Sequence, residues 1–421
     1  MKFGCIAAAV AAMVAASPAC AESPSGPANP AQGAALRAGA PPVSDGTVKI
    51  GLLLDLTGPF SGISGAGSAE AARMAIEDFG STVLGRPIEL VVADHHDDPN
   101  LAGSIARDWF DAQQVDAVLD VSSSSAALIV QAIARNRDKI VVLSSAGAER
   151  LTNEACSPTS IEYVFDTYAV AHTVGRAVVD HGGDTWFFVT ADYSFGYDLE
   201  RDTAAVVVAS GGKVLGHARH PLAAPDLSSY LRLAQQSEAK VVGLADAGGD
   251  MIGAVRNAAK LGMSKAGQTI AALAAVIDDV DTLGLPTAQG MMLGEPFYWD
   301  MTDATRAWSR RFFERLHKMP NSLQAGVYSA TLHYLQAVRT AGTDATGPVM
   351  EAMRNAPIDD VFTQHGHIRE DGVMIHDMRL FQVKSPAESR YAWDYLDPVA
   401  TIPGEQAFQP LDQSRCPLVK R

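Results

Sequence analysis

The chain has 421 residues, and 47% of them are hydrophobic, which is enough for two domains with cores of their own. Its formal net charge is −15, so its surface as a whole repels phosphate backbones and anionic lipids. This composition argues against a nucleic-acid-binding or membrane-surface protein, whereas a small anionic ligand would need only a few local hydrogen-bond donors.

The first 21 residues have the pattern of a secretory signal. Lys2 precedes a run rich in Ala and Val, which ends in the small-x-small sequence Ala19-Cys20-Ala21. The run is too short to span a membrane comfortably, and no stop-transfer segment follows it. We therefore expect a signal peptide over residues 1–21 and a periplasmic location. Cys20 could instead be a lipoprotein cysteine, although Ser17 stands three residues before it, where such signals have Leu or Val.

Residues 22–46 are rich in Pro, Ala, Gly and Ser and contain no aromatic residue, which predicts a flexible linker. Strand and helix patterns then alternate. The predicted strands are Val48–Leu54, Pro87–Ala93, Ala117–Val121 and Ile140–Leu143, and the predicted helices are Ser68–Phe79, Asn100–Gln114 and Ala126–Arg135. Strict alternation of this kind implies a parallel, doubly wound sheet.

The same rhythm restarts in the second part of the chain. The predicted helices there are Thr167–Asp180, Phe195–Ala209, Leu227–Ser237 and Asp250–Leu261, and the predicted strands are Trp186–Thr190, Val214–Ala218, Val241–Ala245 and Thr269–Ala272. Later segments resemble returns that complete each half: Gly290–Leu293, the helices Asp303–His317, Ala325–Ala341 and Thr346–Asn355, and the strand Met378–Val383. We expect two lobes with three crossings between them: residues 47–165 plus 297–360, and residues 166–296 plus 361–421.

Two of the four cysteines, Cys5 and Cys20, lie in the predicted signal peptide. The other two, Cys156 and Cys416, form an even pair in an oxidising compartment, which favours a disulfide. Two buried free thiols are the alternative.

Serine clusters follow two neighbouring predicted strands. Ser122–Ser125 comes directly after one strand, and Ser144–Gly147 repeats the arrangement after the next. Each cluster alone could be a helix N-cap. Because open α/β sheets bind ligands at the carboxyl ends of their strands, two such clusters together predict a binding site there.

Two other patterns are weaker. Gly62–Gly67 lies between a strand and a helix but matches neither a dinucleotide-binding nor a P-loop motif, so it predicts a flexible turn that exposes backbone N–H groups. Asp94–Pro99 has the composition of a metal cluster. However, strand geometry would split its side chains between two faces, and Asp98-Pro99 is helix-start chemistry. We expect neither a metal site nor a cofactor.

Five segments in order and spacing resemble the periplasmic solute-binding proteins of branched-chain-amino-acid-type ABC importers: Val48–Phe60, Ser122–Ser125, Ser144–Gly147, Ala191–Gly196 and Ala245–Asp250. The second-lobe segments and the Cys416–Lys420 ending look closest to a subgroup linked to uptake of aromatic acids. The resemblance implies an α/β fold of the type I periplasmic binding protein class, with two doubly wound parallel-sheet lobes joined by a three-strand hinge.

The resemblance also implies roles for individual residues. Carboxylate-binding groups would fall at Ser123 and at Ser145–Gly147, and an ammonium-binding acid would fall on Asp250, which could equally be a helix cap. Ile63, Gly147 and Phe195 replace bulkier or more polar residues of the amino-acid receptors. The full predicted ligand-binding set is Ile63, Ser122, Ser123, Ser144, Ser145, Ala146, Gly147, Tyr193, Phe195, Asp246, Asp250 and Tyr298.

These observations predict a non-enzymatic, monomeric receptor that delivers a small carboxylate to an ABC permease and ATPase in the inner membrane. An aromatic acid such as a hydroxycinnamate or benzoate is the first expectation, and a branched-chain or other aliphatic amino acid is the second. A secreted serine hydrolase is the rival of another class, and it would need a histidine beside Ser123 or Ser145. A ligand sensor that regulates a partner also remains open.

Overall fold

The computed structural model describes residues 43–420. The predicted signal peptide and most of the predicted linker lie outside the described residues. Within residues 43–420, no helix is both long enough and apolar enough to cross a membrane.

The first lobe is built on a six-stranded sheet with the order β2-β3-β1-β4-β5-β6. All neighbours in it are parallel except the short β2–β3 pair. Its strands are β1 Val48–Leu54, β2 Thr82–Val83, β3 Arg86–Asp94, β4 Ala117–Val121, β5 Ile140–Leu143 and β6 Ser160–Glu162, and its first helices are α1 Gly65–Phe79, α2 Pro99–Asp111 and α3 Ser124–Asn136. The chain leaves β1 toward β3 and then returns to β4 on the other side. Such a reversal of direction opens a crevice at the carboxyl ends of the strands.

The second lobe is built on a seven-stranded sheet with the order β15-β14-β11-β10-β9-β7-β8. Its strands are β7 Thr185–Ala191, β8 Lys213–His220, β9 Val241–Ala245, β10 Thr269–Ala272, β11 Met292–Glu295, β14 Met378–Val383 and β15 Leu396–Ile402. The five strands from β7 to β11 are parallel to their neighbours, and β14 and β15 are added antiparallel. A separate hairpin pairs β12 His367–Ile368 with β13 Met374–Ile375.

The remaining helices are α4 Thr167–Val170, α5 Arg176–Asp180, α6 Ser194–Ala209, α7 Ser228–Gln236, α8 Gly248–Lys260, α9 Ile277–Leu283, α10 Leu285–Ala288, α11 Asp303–Leu316, α12 Ser322–Ala341, α13 Thr346–Asn355 and α14 Gly404–Ala407. The late helix α12 packs along α1 of the first lobe, and α13 packs on α12. Ion pairs from Arg311 to Asp78 and from Arg315 to Glu77 tie α11 to α1 as well. The late helices thus pack on the first lobe.

Three segments of the chain cross between the lobes: after β6, between β11 and α11, and between α13 and β14. Two of these crossings lie side by side, because Glu162 donates its N–H to Gly372 and His376 Nε2 lies 2.6 Å from the Val164 carbonyl oxygen. The predicted two-lobed α/β fold is confirmed.

The central strands β1, β4 and β5 of the first lobe are buried, whereas β3, nearer the edge, is half-buried or exposed. Every residue of β4 and β5 is buried, as is every residue of β1 except Lys49, which is half-buried. At the start of α2, the Asp98 carboxylate accepts hydrogen bonds from the N–H groups of Asn100 and Leu101, with Pro99 at the first helical position. The predicted helix-start chemistry at Asp98-Pro99 therefore forms.

Several elements differ from the sequence prediction, and the short elements β2, β6, β12, β13, α9, α10 and α14 were not predicted. The predicted helix over 167–180 is interrupted by a π-helical turn at Ala171–Gly175. The strand β15 was not predicted, since its Pro398 lacks a backbone N–H and discourages a strand assignment. The structure places β15 at the edge of the second sheet, where a missing donor is tolerated.

The predicted disulfide between Cys156 and Cys416 is confirmed, with a Cα–Cα distance of 5.7 Å and a sequence separation of 260 residues. It ties the tail after α14 to the loop that precedes β6. Arg415 supports the same junction, because its guanidinium pairs with Glu149 and Glu154 of that loop.

We expect the double substitution Cys156→Ser and Cys416→Ser to lower the free energy of unfolding by up to about 5 kcal/mol, because the disulfide closes a very long loop in the unfolded chain. Urea denaturation of the two proteins measures this difference. An unchanged midpoint would mean that the ion pairs of Arg415 hold the tail without the disulfide.

Candidate ligand-binding site

A cavity lies between the two lobes, at the carboxyl ends of β1, β4, β5, β7 and β9. The lining residues are Phe60, Ile63, Ser122, Ser123, Ser124, Ser145, Phe165, Tyr193, Phe195, Ala247, Ala274, Val276 and Leu323. Six of the twelve predicted site residues are among them: Ile63, Ser122, Ser123, Ser145, Tyr193 and Phe195.

Three helices begin at this cavity. The N-cap residues of α3, α6 and α8 are Ser123, Tyr193 and Ala247, and all three line the cavity wall. None of the three has a side-chain hydrogen bond that caps its helix. Uncapped N–H groups and the positive ends of the helix dipoles favour a negatively charged ligand.

The hydroxyl groups of the first serine cluster have different functions. Ser122 Oγ accepts a hydrogen bond from the Asp55 N–H at 3.0 Å and lies 2.8 Å from Ser64 Oγ, so it joins β4 to the loop after β1. Ser124 Oγ accepts from the N–H groups of Gly147 and Ala148 and joins the two serine clusters. Both hydroxyls therefore already have structural partners.

Ser123 is the exception in this cluster. Its hydroxyl oxygen is buried and has no hydrogen-bond partner among the described residues. A buried polar atom without a partner costs about 1–3 kcal/mol, and a ligand oxygen in the cavity would supply the missing bond. Ser123 is therefore the side chain best placed to bind an anion at the N-terminus of α3.

Ser145 lines the cavity but donates its hydrogen bonds to a buried carboxylate of the first lobe. Its hydroxyl donates to Asp120 Oδ2 at 2.7 Å, and its N–H donates to Asp120 Oδ1 at 2.9 Å. Asp120 is completely buried, and this burial raises the pKa of its carboxyl to about 6. The Ser145 proton is thus already used inside the protein, and only lone pairs of its oxygen remain for a ligand.

Four aromatic rings form much of the cavity wall. The Phe60 and Tyr193 ring centroids are 5.8 Å apart across the lobes, and those of Tyr193 and Phe195 are 6.0 Å apart. Phe165, from the first crossing segment, completes this set. Offset aromatic pairs at such distances contribute about 0.5–1.5 kcal/mol beyond burial, and the same geometry would accept a planar ligand ring.

The two acids predicted for the site have partners outside the cavity. Asp250 Oδ2 accepts the Ala223 N–H at 3.0 Å, and the residue is 4% exposed. Asp246 is fully buried, with an oxygen 3.7 Å from Nε2 of the equally buried His220. Burial raises the pKa of Asp250, and it raises that of Asp246 to about 6. Neither acid lines the cavity.

The remaining predicted residues lie beside or away from the cavity. Ser144 and Ala146 are buried next to Ser145, and neither lines the cavity. Gly147 is a packing requirement, because a Cβ atom there would lie 2.6 Å from the Phe165 carbonyl oxygen. The structure places Tyr298 elsewhere: its hydroxyl donates to the Trp393 carbonyl at 3.0 Å, and it lines a separate groove.

Asp97 is a charged neighbour that the sequence analysis considered only as part of the Asp94–Pro99 segment, for metal binding. It is half-buried beside Ser123, in a contact that lacks the geometry of a regular hydrogen bond. Burial and the nearby carboxylates of Asp55 and Asp250 raise the pKa of Asp97 to about 6. Its position at the end of β3, next to β1, is the sequence signal that could have identified it.

The acidic segment around Asp97 has a structural explanation. The Asp94 carboxylate accepts from the N–H groups of Leu56 and His96 and from the Thr57 hydroxyl, which fixes the loop after β1. Across residues 43–420, no group of three or more His, Cys, Asp or Glu side chains is arranged to hold a metal ion.

Ser145→Ala and Ser123→Ala should differ in their effect on stability. Ser145→Ala removes a donor from the buried Asp120, so we expect the free energy of unfolding to fall by about 1–3 kcal/mol. Ser123→Ala removes an unpaired hydroxyl and should leave stability unchanged or slightly higher. Urea denaturation without ligand measures both, and equal losses would contradict the different roles.

Residues 47–389 match the model of the periplasmic binding protein family. The chain belongs to this family. Proteins of this kind bind small molecules outside the cytoplasm and work with the permease and ATPase of ABC transporters. The family match confirms the resemblance seen in the sequence and the predicted fold class.

Solved structures agree with this assignment. A periplasmic binding protein from Burkholderia mallei is 47% identical, with a TM-score of 0.87 over 89% of this chain and 100% of its own. A second protein, from Burkholderia xenovorans LB400, is described as a branched chain amino acid ABC transporter periplasmic ligand-binding protein. It is 35% identical, with a TM-score of 0.80 over 89% of this chain and 100% of its own.

A solute binding protein of an ABC transporter from Rhodopseudomonas palustris BisB5, solved in complex with 3,4-dihydroxy benzoic acid, has a TM-score of 0.78 over 86% of this chain and 98% of its own. At 18% identity it supports the fold alone. No curated protein has significant sequence similarity to the chain.

Proposed function

We propose that this chain is the monomeric, non-enzymatic receptor of an ABC importer and that it binds a small aromatic monocarboxylate, such as a hydroxycinnamate or a benzoate, between its lobes. The observation that carries the proposal is the meeting of three uncapped helix N-termini at one cavity that also contains the unpartnered Ser123 hydroxyl. In this pose, the ligand carboxylate lies at Ser123 and the N–H groups of the first turn of α3.

The body of the ligand would lie against the apolar part of the wall. Phe60, Phe165, Tyr193 and Phe195 surround the cavity with flat surfaces, and the other apolar contacts come from Ile63, Ala247, Ala274, Val276 and Leu323. Burial of an aromatic ring against such a surface is favourable by about 25 cal/mol per Å² of apolar area. The combination of anion donors and aromatic walls favours an aromatic acid.

An aliphatic amino acid is the second candidate, and the description of the Burkholderia xenovorans protein favours it. The difficulty is its ammonium group. Among the described residues that line the cavity there is no carboxylate, and Asp250 already accepts the Ala223 N–H. A buried ammonium without a counter-charge is costly, so the lining argues against this ligand.

A serine hydrolase is not supported by the positions of the hydroxyls. Ser123 Oγ has no hydrogen-bond partner in the described part of the chain, and the side-chain partner of Ser145 is Asp120. Neither hydroxyl is therefore activated by a histidine, which a nucleophilic serine requires.

Ligand entry requires the lobes to separate. In the structure they touch across the cavity, where the Gly249 N–H donates to the Pro59 carbonyl at 3.0 Å and Ser125 Oγ donates to Ser194 Oγ at 3.3 Å. Gly248 permits this approach, since a Cβ atom there would lie 2.5 Å from the Pro59 oxygen. Such a closed form encloses a ligand and presents both lobes together to a permease.

Isothermal titration calorimetry with benzoate, 4-hydroxybenzoate, 4-hydroxycinnamate and leucine tests the proposal. We expect heat from the aromatic acids, and we expect Ser123→Ala to weaken their binding by about 1–3 kcal/mol, because a hydrogen bond to a charged group is lost. Asp250→Asn should leave their affinity unchanged and serves as the matched control. Binding of leucine alone, abolished by Asp250→Asn, would instead establish the amino-acid receptor.

The pH dependence of binding should report Asp97. Because its pKa is raised to about 6, Asp97 is charged at pH 7.5 and largely neutral at pH 5.5, whereas a benzoate stays ionised throughout. Loss of one like charge near the ligand should strengthen binding by about three- to tenfold as the pH falls over this range. Asp97→Asn should bind more tightly at pH 7.5 and lose most of this dependence. An unchanged profile in the variant would show that Asp97 does not act on the ligand.

A further inference from the structure

A second opening lies beside the ligand cavity, on the outer side of the seam between the lobes. This outer groove has a volume of about 440 Å³ and takes residues from both lobes. It is lined by Gly58, Pro59, Ser61, Gly62, Ile63, Gly248, Gly249, Ile252, Asp278, Asp279, Asp281, Thr282, Lys318 and Trp393. Ile63 is the one described residue that lines both the groove and the ligand cavity.

The backbone around Ile63 is fixed by hydrogen bonds. The Ile63 carbonyl accepts from Asn321 Nδ2 at 2.7 Å and from Gln324 Nε2 at 3.2 Å, and Lys318 Nζ donates to the Gly62 carbonyl at 3.0 Å. Asn321 and Gln324 are themselves fixed, because they form the capping box of α12. The loop that carries the Ile63 side chain is thus a rigid wall and has little freedom to move aside for a longer ligand.

The second lobe strengthens this wall when the lobes are together. The Asp278 carboxylate accepts from Lys318 Nζ at 2.7 Å through one oxygen and from Asn321 Nδ2 at 2.7 Å through the other. The same two side chains therefore bind both the Ile63 loop and α9 of the second lobe. Closure and the position of Ile63 are coupled through this contact.

We propose that Ile63 is the residue that limits ligand length. Its side chain separates the ligand cavity from the outer groove, which is an unused extension of the ligand site. This inference rests on the proposed function. Removal of the side chain beyond Cβ joins the two spaces, so an aromatic acid with an apolar tail can extend into the groove while its carboxylate stays at Ser123.

The groove has a charge preference of its own. In its lining, Asp278 is paired with the Lys318 ammonium, burial raises the pKa of Asp279 well above its usual range, and the exposed Asp281 is a carboxylate without a cation of its own in the lining. A tail that ends in a second carboxylate would be repelled there, whereas an apolar tail would contact Ile252 and Trp393. The extension should therefore accept monocarboxylates with apolar tails and reject dicarboxylates.

The test measures binding of benzoate, 4-ethylbenzoate and 4-butylbenzoate by calorimetry to the parent protein and to Ile63→Ala. In the parent protein, 4-butylbenzoate should bind at least tenfold more weakly than benzoate. In Ile63→Ala, that ratio should shift by at least tenfold in favour of 4-butylbenzoate. Ile63→Phe should act in the opposite direction and reduce binding of 4-ethylbenzoate.

Leu323→Ala is the matched control, because Leu323 lines the ligand cavity but not the groove. It enlarges the cavity by a similar volume and should not rescue 4-butylbenzoate. The dicarboxylate 4-(3-carboxypropyl)benzoate should gain nothing from Ile63→Ala. The far-ultraviolet circular dichroism spectrum and the urea midpoint of each variant show that it is folded.

The outcomes separate the inference from the function on which it rests. If the parent protein binds benzoates but Ile63→Ala and Leu323→Ala give the same chain-length profile, the role of Ile63 is overturned and the receptor function stands. If the parent protein binds no aromatic acid, the proposed function fails first. Equal gains for the apolar tail and the dicarboxylate would overturn the charge preference of the groove.

Discussion

The site depends on the uncapped amino ends of α3, α6 and α8, which meet around one cavity. Each end carries a partial positive charge of roughly half an elementary charge, although at α8 the Gly249 N–H already donates to the Pro59 carbonyl. One end comes from the first lobe and two come from the second, so neither lobe alone assembles the full set of donors. Under the proposed function, an anion between the lobes would satisfy donors from both and would favour closure.

The carboxylates near the cavity fix the loops that form its wall. Asp55 accepts from the N–H groups of Gly58 and Phe60, Asp120 accepts from Ser145, and Asp250 accepts from Ala223. Each acid fixes a loop at a strand end by accepting these hydrogen bonds. Asp97 is the exception, since it lies next to Ser123, and its raised pKa makes it the group through which pH would act on binding.

Much of the fold could be predicted because the parallel strands are buried on both faces. The strands β1, β4 and β5 are read from the sequence as short apolar runs between turn residues, and the helices between them show a 3.6-residue period. Helix starts were less certain: α3 begins at Ser124, two residues before the predicted start, because polar residues of the first turn do not show the apolar period. Pro398 argued against a strand at β15, but the strand lies at the edge of its sheet, where a residue without a backbone N–H is tolerated.

The sequence by itself determined that serines would follow β4 and β5. Because the carboxyl ends of neighbouring parallel strands meet at one edge of the sheet, it also determined that the two clusters would lie close together. It did not determine which hydroxyl is free. Ser145 and Asp120 are 25 residues apart, and only the pairing of their strands brings them together and leaves Ser123 unpartnered. The tertiary structure likewise determined which apolar side chains form the cavity wall. Phe60, Phe165 and Leu323 come from a loop, a crossing segment and a late helix, and no local pattern connects them before the lobes are packed.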